Sequence, residues 1–252
     1  MKVSERFWEA SVEELKKGYI QERDYYMCLL CGRTFEQGVI YQVDGTLYEA
    51  EKYTRVHIDK AHHSVFDYLI SLDKKLTGLT EHQNSLLKLF YQGKTDAEVQ
   101  KELNIGSSST IRNHRFVLKE KERQSKVFLA MMELLKEKDQ HAPAFVPVHK
   151  TAKMVDDRYN VTEEERRAIL AKYFTEGTDG PITTFEMQEK SKLIILREIA
   201  SSRFDAGQSY KEKEVNEILE KVYHDYVTLR RYLIEYGFMD REPDGSKYWL
   251  KV

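Results

Sequence analysis

Cysteine is nearly absent from this chain, with Cys28 and Cys31 the two examples in 252 residues. A disulfide-stapled secreted domain is thereby excluded, and in a reducing compartment an isolated Cys-x-x-Cys pair serves metal binding or redox chemistry. Proline is scarce as well, and two of the four residues, Pro143 and Pro147, fall in one short stretch. No apolar run approaches the roughly eighteen residues that a membrane span requires. The opening MKVSERFWEASVEELKK is amphipathic and rich in glutamate, unlike a signal peptide, so a cytoplasmic protein with no membrane partner is expected. Neither charge dominates: 40 basic against 42 acidic residues, net −2, excludes a generally basic nucleic-acid coat. What remains, 41% hydrophobic and 33% charged, suits a helix-rich globular protein long enough for two or three domains.

The two cysteines gain meaning from the histidines downstream. Cys28-x2-Cys31, twenty-five residues, then His57-x4-His62 brings four soft or borderline ligands in two close pairs, the set that structural tetrahedral zinc takes. Between the pairs, residues 38–48 alternate apolar and polar around Asp44-Gly45, which predicts a hairpin. The result resembles an elongated two-cysteine, two-histidine finger, although the usual spacer is about twelve residues. Residues five apart on an ideal helix point about 140° apart, so the helix must tighten or end between His57 and His62, and His63 is an alternative fourth ligand. A redox Cys-x-x-Cys opens a helix after a strand, an alternation missing here. A catalytic metal is disfavoured too, since no His-Glu-x-x-His occurs and four protein ligands leave no position for water.

Residues 79–114, LTEHQNSLLKLFYQGKTDAEVQKELNIGSSSTIRNH, carry the next signal. Thr80 caps a helix with Leu86, Leu87, Leu89 and Phe90 at helical spacing until Gly93. Thr95 with Glu98 caps a second, striped by Val99 and Leu103, and Asn104-Ile105-Gly106 turns the chain into a third, capped by Ser107, Ser108 or Ser109 and starting near Thr110. Two short helices about a glycine-containing turn match the motif that lays its second helix in the major groove. Leu79, Thr80, Gly93, Thr95, Glu98, Val99, Leu103, Ile105, Thr110, Ile111 and His114 also fall on the pattern of the LuxR/GerE-type helix-turn-helix, which this stretch resembles. It departs from that pattern at His82-Gln83, Gln100 and Gly106. Charge agrees locally: residues 112–126 hold six basic side chains against two acidic. Ser107, Ser108, Ser109, Thr110, Arg112, Asn113 and Arg115 are the candidate DNA contacts, because Arg and Asn make bidentate contacts to guanine and adenine edges. Lys119 and the basic residues to 126 would hold phosphate or form a plain solvated face.

Further along, Val127, Phe128, Met131, Met132, Leu134 and Leu135 recur at spacings of three and four, which a dimerising helix or a helix packed on its own domain would use. Residues 139–158, with Pro143 and Pro147 and no helical period, read as a linker. Three helices are expected over 191–200, 210–223 and 225–237, and then a strand, an Asp244-Gly245 turn and a strand. That is a winged-helix outline, with Thr228, Arg230 and Arg231 as candidate DNA contacts. Glu214-Val-Asn-Glu-Ile-Leu, His224-Asp-Tyr-Val-Thr-Leu-Arg-Arg-Tyr-Leu and Tyr248-Trp249 resemble an uncharacterised C-terminal domain of bacterial transcriptional regulators.

The expected fold is mainly α with small β-hairpins: an N-terminal amphipathic helix (1–24), a zinc-stapled ββα module with its connecting helix (25–76), a helix-turn-helix bundle with an extended last helix (77–138), the linker, and a winged-helix-like domain (159–252). The expected function is sequence-specific binding of double-stranded DNA by a homodimeric transcriptional regulator with structural zinc. The alternative is a zinc-stabilised adaptor whose helical domains bind protein, for instance a polymerase or a phage factor, with weak non-specific nucleic-acid binding. In either case the C-terminal domain is a candidate protein-docking surface; RNA binding is disfavoured by the lack of a stacking-aromatic motif. No nucleophile beside a His and an acid, no phosphate loop and no dinucleotide fingerprint occurs, so no enzymatic activity is expected.

Overall fold

The computed structural model describes residues 2–251. It is mainly helical with small antiparallel hairpins and divides into two compact units, one made of the chain up to Leu76 together with the chain from Ala144 on, the other Thr77–Pro143.

Where one amphipathic helix is expected over residues 1–24, the chain forms two helices and a strand. Ser11 is the cause. Its hydroxyl accepts from the Glu14 N–H while the Glu14 carboxylate accepts from the Ser11 N–H, a reciprocal cap that starts α2 (Val12–Lys17) afresh after α1 (Lys2–Glu9). Gly18, at φ 78°, then ends α2; a Cβ there would stand 2.6 Å from Val65 Cγ2. The strands β1 (Tyr19–Gln21), β2 (Tyr25–Cys28) and β3 (Thr34–Glu36) follow as an antiparallel sheet in that order. The expected hairpin forms as β4 (Ile40–Val43) and β5 (Thr46–Glu49), with Val43 opposite Thr46 across Asp44-Gly45. Both turn residues have positive φ, as a two-residue hairpin loop demands. Next come α3 (Ala50–His62), α4 (Val65–Ser71) and α5 (Lys74–Thr77). Phe7, Ile20, Met27 and Leu29 form one small core with Tyr68, Leu69 and Leu72, and Tyr19, Cys28, Leu30 and Ile58 form another.

The unit Thr77–Pro143 holds α6 (Glu81–Tyr91), α7 (Asp96–Glu102) and α8 (Ser108–Lys136). Thr80 and Thr95 each make the reciprocal cap, with Gln83 and Glu98, and Ser107 caps α8 by accepting from the Thr110 N–H. Its core is small. Leu86, Val99 and Ile111 are fully buried, one from each helix, with Leu89, Phe90, Leu103 and Ile105 packed around them. Past Ser125 the side chains of α8 are exposed, Val127, Phe128, Met131, Leu134 and Leu135 included.

The C-terminal part runs through a 3-10 turn (Asp157–Tyr159), α9 (Glu163–Tyr173), α10 (Glu189–Arg203), β6 (Ser209–Tyr210), α11 (Glu212–Glu220), α12 (Tyr226–Glu235), β7 (Met239–Arg241) and β8 (Tyr248–Leu250), with sheet order β6-β8-β7. The largest core of the molecule lies here, around Ile195, Leu196, Ile199, Val215, Leu219, Leu229, Leu233, Phe238 and Tyr248.

Within the stretch expected as a linker, Val146, His149, Lys150 and Ala152 are buried. The chain here is a strap, held on one side by the Trp8 indole, which donates to the Val148 carbonyl (2.6 Å), and on the other by Arg197, which donates to the Pro147 carbonyl (2.5 Å). Thr151 donates to the Gly237 carbonyl (2.8 Å), and Gly237, at φ 84°, leaves no room for a side chain: a Cβ would fall 2.3 Å from the Thr151 carbonyl oxygen.

His149 is sealed inside this strap, its ring 4.2 Å from that of Phe238. The Thr151 hydroxyl gives its proton to Gly237, so it accepts from His149 Nδ1–H (3.0 Å), leaving Nε2 to accept from the Tyr159 hydroxyl (2.9 Å). Burial, then the charge of Arg197, pushes the imidazole down to about 3. The unfolded chain takes up this proton near pH ~6.5, the folded chain only near 3, so stability is lost as pH falls between those values, by at most about 1.4 kcal/mol per unit. Urea unfolding at pH 7 and pH 5 is expected to show a smaller drop for His149→Gln than for the wild type. Equal drops would remove His149 from the account.

Candidate metal centre and nucleic-acid face

β2 delivers Cys28, fully buried, into a tight turn that carries Cys31; the Gly32 N–H donates to the Cys28 carbonyl (2.8 Å) and the Cys28 N–H to the Arg33 carbonyl (2.9 Å). α3 supplies both histidines. His57 lies on its buried face, and His62 is its last residue, so the helix ends where the second imidazole has to turn toward the first. The rings stand at 87° with centroids 5.3 Å apart. His63, at φ 61°, falls outside the group.

The four ligand atoms of Cys28, Cys31, His57 and His62 lie within 4.8 Å of one another. Cys31 Sγ is 3.2 Å from His57 Nε2, and Cys28 Sγ is 3.7 Å from His62 Nε2. Bond lengths of ~2.3 Å to sulfur and ~2.0 Å to nitrogen at tetrahedral angles put such atoms about 3.5 Å apart, so the group could hold a zinc ion with little rearrangement. Four donors fill a tetrahedron. An ion held there keeps no position for water or substrate, which suits support of the fold and not catalysis. The thiols share a proton unevenly: Cys31 is held far below its usual value by hydrogen bonding with Cys28 and then with His57 and His62, while Cys28 is pushed up by its bond to Cys31 and by burial. An arriving cation would displace that proton.

Around the ligands stand Phe35, 5.2 Å from the His57 ring, and Tyr68, 6.0 Å from that of His62. Lys150 completes the surroundings, from 120 residues away. Only 1% exposed, it donates to the carbonyls of Leu29 (3.0 Å) and Leu30 (2.5 Å), the two residues between the cysteines. Its ammonium also lies 5.4 Å from the Tyr68 ring and 5.9 Å from that of Phe7. Burial pushes the amine down to about 8, with the cysteines' charges opposing. No local signal in the sequence marks Lys150, because its partners are backbone atoms brought near only by the fold.

The candidate DNA contacts divide into two groups. Arg112 and Asn113 stand exposed on the first turns of α8, beside Ser108. The hydroxyls of Ser109 and Thr110 bond to Ser107 Oγ (2.8 and 2.9 Å), so those three serve the cap. Arg115 donates through Nε to Asp96 Oδ1 (2.9 Å) and lies 3.6 Å over the Phe90 ring, tying α8 to α6 and α7. Lys119 pairs with Glu122 at 2.7 Å on the surface. On α12, Thr228 has its N–H capped by Asp225, and Arg231 lies over the Tyr232 ring at 5.3 Å. Arg230 pairs with Glu212 at 2.7 Å, bonds Asn216 and lies 5.7 Å from the Tyr248 ring, which makes it a brace between α11 and α12.

Among the described residues no helix is long and apolar enough to cross a membrane. No curated protein and no solved structure matches this chain. Residues 181–250, the span that holds α10 to β8, match the model of a family described as an uncharacterized protein conserved in bacteria (DUF2087).

Proposed function

We propose that this protein is a sequence-specific DNA-binding regulator in which zinc, bound by Cys28, Cys31, His57 and His62, serves the fold. The observation that carries the reading is the face of α8: Ile111 anchors the helix in the core it shares with Leu86 of α6 and Val99 of α7, while Arg112 and Asn113 point outward from its first turns. That is the presentation a helix-turn-helix makes to the major groove, with α7 and α8 as its two helices. The order α10, β6, α11, α12, β7, β8 with sheet order β6-β8-β7 supports a winged-helix reading of the C-terminal part. The exposed apolar side chains from Val127 to Leu135 would meet their counterparts in a homodimer.

Selection of bound duplexes from a random pool is expected to enrich an inverted repeat with half-sites about one helical turn apart. Replacing Arg112 and Asn113 by Ala together should cost about 2 to 6 kcal/mol of specific affinity, if each makes a bidentate base contact, and leave the melting temperature unchanged. Salt-sensitive binding with no enriched sequence would reject the proposal. A protein-docking role for the C-terminal domain is favoured by one observation: with Arg230 braced internally, α12 has one further arginine, Arg231, to offer, which is little charge for a phosphate backbone.

A further inference from the structure

His82 and His114 come from different helices and meet. His82 lies in the first turn of α6, just after the Thr80 cap, and His114 lies on α8, one turn beyond Ile111. Their Nε2 atoms are 3.3 Å apart, with ring centroids separated by 4.8 Å and planes at 63°. Both rings therefore approach each other through the same nitrogen. A neutral pair can share one N–H···N hydrogen bond, but 3.3 Å is long for such a bond and equals the separation, about 3.3 Å, of two imidazole nitrogens on one tetrahedral ion. The Cys2His2 group shows the same kind of convergence, with a sulfur–nitrogen distance of 3.2 Å.

We propose that His82 and His114 form a second metal site, which takes a borderline divalent transition ion such as Ni2+, Zn2+ or Cu2+ through two imidazoles. Imidazole suits these ions over Ca2+ or Mg2+, which demand oxygen ligands. The core of Leu86, Val99 and Ile111 already fixes the two helices, so little ordering remains to oppose binding. Two protein donors leave the other coordination positions to water, and Lys121, seven residues beyond His114 and bonded to the Gly78 carbonyl at 3.3 Å, adds an opposing charge on that face. The site is thus weaker and more exchangeable than the Cys2His2 group. It would fill when the metal is in excess and would pin α6 to the helix that carries Arg112 and Asn113. The proposal stands without the DNA-binding reading, because it concerns the ion alone.

The test is equilibrium dialysis of the zinc-loaded full chain against Ni2+, chosen because Cu2+ oxidises thiols. One equivalent of Ni2+ is expected beyond the zinc, absent from His82→Gln and from His114→Gln and retained in His141→Gln and His224→Gln, which lack other imidazoles. Ni2+ should also raise the melting temperature of the wild type and leave that of the two site variants unmoved. Uptake that survives in both site variants, or no second equivalent in the wild type, would overturn the proposal.

Discussion

Stripping metal from the protein is expected to melt residues 19–62 while the C-terminal core stays folded, so that an additional thermal transition appears at lower temperature. The physical reason is the small size of what else holds this segment: Ile20, Met27 and Leu29 pack with Phe7 in one small cluster, Tyr19, Cys28, Leu30 and Ile58 form another, and Phe35 packs on His57 itself. Structural zinc contributes an apparent ~10 to 16 kcal/mol in comparable small modules, far more than such clusters supply. The C-terminal core, where Ile195, Leu196 and Ile199 are buried, contains none of the ligands and keeps its own packing. Cys28→Ser should reproduce chelation, since one lost thiolate opens the tetrahedron. Released zinc, counted against protein, and circular dichroism before and after chelation provide the check. An unchanged melting curve, or no zinc released, would end the structural-zinc proposal.

Lys150→Ala is expected to destabilise the protein by about 4 kcal/mol, because it leaves the carbonyls of Leu29 and Leu30 buried without a donor and opens a gap among Phe7, Tyr68 and the strap. Lys150→Met separates the two causes. It refills most of the volume but offers no hydrogen bond, so it should retain a loss of about 2 kcal/mol. Urea midpoints of the three proteins at pH 7 measure both. A Met variant as stable as the wild type would show that the ammonium contributes packing alone. Zinc dissociation should also quicken in both variants, since Lys150 fixes the turn from which both thiols project.

Much of the local structure is legible in the sequence, and the reason is that it is decided locally. Thr80 and Thr95 carry their Gln or Glu three residues on and form the reciprocal caps in the structure, and Asp44-Gly45 makes its hairpin. The ligand group is legible because Cys28, Cys31, His57 and His62 have few chemical alternatives. Ser11 and Glu14 carry the same capping signal as the threonines, but the amphipathic pattern on both sides of them masks the break and suggests one long helix. The sheet of β1, β2 and β3 is harder, because its strands are three or four residues long and their apolar positions do not alternate cleanly. Residues 144–153 cannot be read locally. Their proline content and lack of period describe a linker, and their burial depends on Trp8, Arg197 and Gly237, far away in sequence.

The strap also sets a clock. A ribosome releases the segment between Cys28 and Cys31, then more than a hundred residues that include the whole of Thr77–Pro143, before Lys150 emerges. At about 5 to 20 residues per second, the carbonyls of Leu29 and Leu30 wait several seconds or longer for their donor. During that interval the two carbonyls have water as their partner in place of the ammonium. Lys150 is therefore a late addition to a turn already made, and the surroundings of Leu29 and Leu30 are completed only after the chain past Pro143 has been synthesised.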